Sequence, residues 1–130
     1  MPAGWINSLG SNAAWRVASD TASAGVFSLK SGVITHLQNS GIQFTGTGTV
    51  PLGAVGNVTF ARRVSSEANF DFLRFYIDGV QVASWSGLLS WQTVTYPVAA
   101  GTHTFKWSYT KDGSVNAGSD AAWIDAVVLH

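Results

Sequence analysis

The chain has 130 residues, of which 46% are hydrophobic and only 11% charged, with seven basic and seven acidic side chains cancelling to a net charge of zero. Intrinsic disorder needs the opposite balance, and binding to a nucleic-acid backbone needs a cationic excess, so both are excluded as expectations. The chain has no cysteine, and its first residues, MPAGWINSLG, carry neither a basic segment nor a long apolar run. They read as neither signal peptide nor membrane span, so no membrane insertion is expected.

In chain order, the first elements are short and soft. Val26 to Lys30, Val33 to Gln38, Ile42 to Thr47 and Val58 to Val64 read as strands. Turn formers separate them at Ser31-Gly32, Asn39-Ser40-Gly41 and Gly53 to Asn57. From residue 71 alternation dominates. Leu73, Phe75 and Ile77 point one way, and Phe72, Arg74 and Tyr76 the other. Asp78-Gly79 then marks a tight hairpin, after which Val80, Val82 and Ser84 resume the pattern. SGLLS, between Trp85 and Trp91, reads as a loop. Thr102 to Thr110 puts His103, Phe105, Trp107 and Tyr109 on one face and Thr104, Lys106 and Ser108 on the other. Ala122 to Leu129 is a nearly continuous apolar run.

About ten short strands with regularly spaced turns, and no helical stripe, predict an all-β fold. The expected architecture is an antiparallel β-sandwich of the jelly-roll type, forming a single domain over residues 1–130.

Catalytic chemistry is weakly represented. His36, His103 and His130 are far apart, and no GxSxG frames a serine. Glu67 and Asp71 are the nearest carboxylate pair, but SSEANFD has the composition of a solvated loop. GTGTVPLG fits neither nucleotide-binding spacing. The expectation is a protein that is not an enzyme.

The run SYTKDGSVNAGSDAAWIDAVVL holds the densest acidic chemistry. An EF-hand starting at Asp112 would need glycine at position six and glutamate at position twelve, where Ala117 and Trp123 stand. Its turn formers make Asp112 to Asn116 a polar turn, the alternative being a calcium cage of Asp112, Asn116, Asp120 and backbone carbonyls at a sandwich edge. Asp125 lies within a strand on the face of Trp123, and a carboxylate inside a core must be paired, hydrogen-bonded or metal-bound. Arg62, on the face of Val58, Phe60 and Val64, is its candidate partner.

Six tryptophans and a set of outward cations suggest a binding platform. Aromatic planes on a sheet stack against sugar rings, and neighbouring polar groups bond their hydroxyls. Arg63, Arg74, Tyr76 and Lys106, with Trp85 and Trp91 flanking SGLLS, are the candidate ligand-binding residues.

The series VSSEANFDFLRFYIDG, WSG…W and AGTHTFKWSYTKDGSVNAGSDAAWID resembles a jelly-roll domain recurring in large bacterial extracellular proteins. It is similar to the MAM and cleaved-adhesin (gingipain-type) group, and covers about Gly25 to Leu129. The resemblance implies an adhesion or binding module of a secreted or surface protein, without turnover, taking a glycan or surface polymer. It also implies structural calcium, with Asp120 and Asp125 as candidate ligands. The family-like ending is Ile-Asp-Asp, whereas Ala126 follows Asp125 here, which weakens a site needing both carboxylates. The alternative reading is a structural domain of a viral or cell-surface appendage that self-associates.

Overall fold

The computed structural model describes residues 5–8, 11–34, 37–47, 55–99, 101–111 and 120–129. Ten strands appear among them: β1 (Trp5–Asn7), β2 (Arg16–Ala18), β3 (Ser28–Lys30), β4 (Asn39–Thr47), β5 (Val55–Ser65), β6 (Phe72–Ile77), β7 (Val80–Trp85), β8 (Leu88–Ala99), β9 (Thr102–Thr110) and β10 (Ala121–Leu129). They form two five-stranded antiparallel sheets. Sheet A has the order β1-β4-β9-β6-β7 and sheet B the order β2-β3-β10-β5-β8. The all-β jelly-roll expectation holds. The described residues contain no helix long and apolar enough to cross a membrane.

Period-two patterning explains the layers. Leu73, Phe75, Phe105, Trp107 and Tyr109 of sheet A are buried, as are Val58, Phe60, Val64, Ala122 and Ile124 of sheet B. Phe60 is central: its ring lies 4.8 Å from Phe75, 5.3 Å from Trp107 and 6.0 Å from Trp85. These edge-to-face contacts join the two sheets, and truncating such a ring to alanine typically costs about 3–5 kcal/mol. The hairpin at Asp78-Gly79 is as predicted. Both residues have positive φ, 50° and 82°, which is what a two-residue turn matching strand twist requires.

Three expectations are corrected. SGLLS is not a loop, because Leu88 opens β8, the longest strand among the described residues and one of the two edges of sheet B. Its long pairing with β5 outweighs the turn composition of Ser86-Gly87, which only joins β7 to it. Of Val33 to Gln38, the described residues 33, 34, 37 and 38 are not in a strand, and His36 lies outside the described residues. Asp71 is no part of a solvated loop: its side chain is fully buried, and its backbone N–H donates to the Glu67 carbonyl at 3.1 Å.

Candidate functional site

The outward side of sheet A gathers three of the six candidate ligand residues. Registers place Tyr76 opposite Lys106, Arg74 opposite Ser108, and Gln43 of β4 opposite Lys106. Arg74 lies over the Phe72 ring at 4.7 Å and donates to Thr110 Oγ1 and Gln81 Oε1, both at 3.3 Å. Lys106 Nζ stands 5.5 Å from the Tyr76 ring centroid. A Cβ on Gly41 would come within 3.0 Å of Ser8 and 3.5 Å of Lys106 Cε, so glycine leaves room for the lysine stem. The outcome is a flat strip of two rings and two cations held on rigid strands, rimmed by Gln43, Thr45, Gln81 and Thr104. No carboxylate stands on this face among the described residues of β4, β6, β7 and β9.

The other three candidates lie elsewhere. Trp85 faces inward from β7 against Phe60 and Tyr96. Arg63 and Trp91 sit on the outer side of sheet B, where Arg63 Nη1 and Trp91 Nε1 both donate to Thr21 Oγ1, at 2.8 and 2.9 Å. Trp123 is buried, yet it belongs to that outer side rather than the core. It lies between Lys30 and Arg63, 5.0 and 5.2 Å from its ring, and its indole N–H donates to Asp20 Oδ1 at 3.3 Å. Asp20 also pairs with Lys30 at 2.7 Å, and that bond holds its carboxyl below the ordinary aspartate value. The segment around Asp20 and Thr21 thus covers the sheet B surface.

The Arg62–Asp125 ion pair does not form. Arg62 is paired with Ile124 and Asp125 with Ala61, so the arginine faces the core and the aspartate faces out. Arg62 donates to the Ser90 carbonyl at 2.8 Å and Gln92 Oε1 at 2.6 Å, with Trp85 5.6 Å from its guanidinium. Burial pushes its pKa down. Asp125 Oδ2 accepts the N–H groups of Ser23 and Ala24, both at 3.0 Å, and its Oδ1 that of Ala126 at 2.8 Å. Ala126 adopts φ 52° at an irregularity in the β5–β10 register, beside a cleft of about 230 Å³ lined by Trp5, Phe27, Asp125 and Val127.

Asp120 is engaged as well. Tyr109 donates to its Oδ1 at 2.7 Å, and the Lys111 ammonium contacts its Oδ2. Burial, then the bond to Asp120, raises the Tyr109 pKa strongly, so the phenol stays a donor. Both carboxylates suggested as calcium ligands thus already accept hydrogen bonds, from N–H groups at Asp125 and from a phenol and an ammonium at Asp120. Among the described residues no three His, Cys, Asp or Glu side chains converge. Asp112 to Asn116 lies outside the described residues.

His103 proves structural. Its Nδ1 meets Asp78 Oδ2 at 2.5 Å and its Nε2 the Ala99 carbonyl at 2.7 Å, tying the hairpin to β9 and lowering the Asp78 pKa. Sequence reasoning overlooked Lys111 altogether. Its one signal was its place opposite Asp71 at the end of an alternating strand, which the β6–β9 register continues from Phe72 and Thr110.

No family model matches the chain, and no curated protein matches it. Similar solved structures include the secreted serine protease VesC from Vibrio cholerae (12% identity, TM-score 0.69), matched over 92% of this chain but only 23% of that one. Another is the K1 cleaved adhesin domain of Lys-gingipain from Porphyromonas gingivalis W83, at 15% identity and TM-score 0.65, covering 100% of this chain and 92% of that one. The CBM22-1 xylan-binding domain of Paenibacillus barcinonensis Xyn10C is 16% identical with a TM-score of 0.64, covering 98% and 85%. At such identities the likeness is one of fold. The chain carries the jelly-roll sandwich shared by cleaved-adhesin and carbohydrate-binding modules, as its sequence resemblance implied.

Proposed function

We propose that this chain is a non-catalytic module of a secreted or surface protein, and that it binds carbohydrate on the outer face of sheet A. The observation that carries this reading is the Phe72–Arg74–Tyr76–Lys106 strip. It offers ring planes for stacking, two cations and a rim of amides and hydroxyls. Two cations without a carboxylate favour a uronic-acid polymer over a neutral one. The xylan-binding and adhesin neighbours support a binding role, since their sandwiches have the same architecture. A carboxylate pair across a cleft, which glycoside hydrolysis needs, is not found on this face among the described residues.

Affinity electrophoresis in gels containing xylan, galactan or polygalacturonate tests the reading. Retardation by the acidic polymer is expected, weakened at least about tenfold by Tyr76→Ala or Arg74→Ala, because central aromatic and arginine contacts dominate such sites. Trp91→Ala, on the opposite sheet, should leave it unchanged. Equal migration of wild type in all gels would count against carbohydrate binding.

One observation favours self-association as a second reading. From Val80 to Ala99, spanning the edge strands β7 and β8, the sequence has no charged residue. Val80, Val82 and Leu88 are exposed there, although edges are usually guarded by charge. Light scattering coupled to size-exclusion chromatography distinguishes the two, since a concentration-independent dimer or larger assembly supports this second reading.

A further inference from the structure

Where β6 begins and β9 ends in sheet A, beside the end of β5 and the start of β10 in sheet B, two charged side chains are removed from water and a third is largely shielded. The Lys111 and Asp71 side chains are 0% exposed, and that of Asp120 is 19% exposed. Lys111 Nζ contacts Asp120 Oδ2 and lies 3.8 Å from Asp71 Oδ2. Tyr109 O–H donates to Asp120 Oδ1 at 2.7 Å. Ser66 Oγ donates to the Asp71 carbonyl at 2.9 Å and accepts the Gly87 N–H at 3.0 Å, fixing the backbone that presents Asp71. Asp120 has φ 53°, a left-handed conformation uncommon outside glycine, and its carboxyl meets the lysine at the start of β10.

Among the described residues, one ammonium stands between two carboxylates in largely desolvated surroundings. Bond formation requires the proton of the Lys111–Asp120 contact to sit on the carboxyl, with the amine beside it. A desolvated lysine amine is a nucleophile. Its target is already in contact, which supplies the proximity that intramolecular reactions exploit.

We propose that Lys111 and Asp120 are joined by a side-chain amide bond formed within the folded chain. The Nζ lone pair attacks Asp120 Cγ, and charge gathers on Oδ1, where the Tyr109 hydroxyl receives it as an oxyanion donor. Asp71 takes a proton from nitrogen and returns it to Oδ2, which leaves as water. One C–N bond forms, one C–O bond breaks, and no oxidant or reductant enters. Oδ1 becomes the amide oxygen and keeps its hydrogen bond from Tyr109. The Lys111 ammonium and Asp120 carboxylate give way to a neutral amide, and Asp71 ends as it began. The bond ties the end of β9 to the start of β10, and so one sheet to the other.

The test is the intact mass of the purified full chain under denaturing conditions. Wild type should weigh one water less than its sequence, about 18 Da. Proteolysis and tandem mass spectrometry should give a branched peptide linking Lys111 to Asp120. Lys111→Arg should restore the full mass. Asp71→Asn, with folding checked by circular dichroism, should show the full mass or convert at least tenfold more slowly. A wild-type mass equal to the sequence overturns the proposal. So does water loss without the branched peptide, as a succinimide at Asp112-Gly113 would produce. Unimpaired linkage in Asp71→Asn overturns the role given to Asp71.

Discussion

Arg62 and Ile124 stand opposite each other across β5 and β10, and this single register places Arg62 on the core side of sheet B and Asp125 on the other. The arginine is therefore a buried cation whose hydrogen bonds go to the Ser90 carbonyl and the Gln92 amide. Its Nε has no hydrogen-bond partner among the described residues. Replacing buried charge by an apolar chain of similar length is often neutral or stabilising, whereas truncation leaves a void. Arg62→Met should change stability in urea by less than about 1 kcal/mol in either direction, and Arg62→Ala should lose about 2–4 kcal/mol. Because the two residues share no contact, Arg62→Met and Asp125→Asn should be additive within about 0.5 kcal/mol. A larger coupling energy would revive the ion pair.

The failure of that pair shows what periodicity carries and what it omits. Alternation correctly grouped Asp125 with Trp123, and Arg62 with Phe60, because side-chain period is a local property of a strand. Which group faces the core depends on the partner strand, and nothing local to WIDAVV records that Lys30, Arg63 and the Asp20 segment cover Trp123 from outside. Large apolar residues in a strand were equated with the core, and here one sits beneath a loop. The sheet A strip was legible for the opposite reason: Arg74, Tyr76 and Lys106 alternate with residues that are themselves buried. The Lys111 cluster was hidden because its members come from residues 66, 71, 109, 111 and 120, joined only by register and sheet stacking.

Asp125 holds the segment ahead of β3 by accepting two backbone N–H groups through one oxygen. Removing a carboxylate that satisfies several amides costs about 1–3 kcal/mol, more than a surface ion pair is worth. Asp125→Ala should destabilise the chain by that amount and raise hydrogen–deuterium exchange at Ser23 and Ala24 at least tenfold. Asp125→Asn, which retains an acceptor, should lose less. Unchanged exchange at Ser23 and Ala24 in the alanine variant would refute the anchoring role.

N–H donors engage Asp125, and an O–H and an ammonium engage Asp120, so among the described residues calcium has no ready set of oxygens at either carboxylate. A ligand that binds only the folded state raises the melting temperature by mass action. Millimolar calcium or excess chelator should therefore move the midpoint by less than about 1 °C. A calcium-dependent rise of several degrees, lost in Asp120→Ala or Asp125→Ala, would show that the metal displaces these donors.

Asp20 makes the cover over sheet B sensitive to acid. Lys30 faces its carboxylate, Trp123 donates to it, and its own Oδ1 accepts the Thr21 N–H. The bond to Lys30 lowers the folded-state pKa below the ordinary 3.8, so the ionised form is the one folding favours. Its contribution is present in full above 3.8 and disappears as pH falls through the lower folded value. The carboxylate is half exposed, so screening makes the effect local rather than global. Exchange at Thr21 and Ala22 should rise on acidification below the ordinary aspartate range, before the Phe60 core opens. Asp125 holds the same segment through Ser23 and Ala24, so wild type must be compared with Asp20→Asn, whose exchange should be raised already at neutral pH and respond less to acid. Identical pH profiles for the two proteins would show that Asp20 is not the latch.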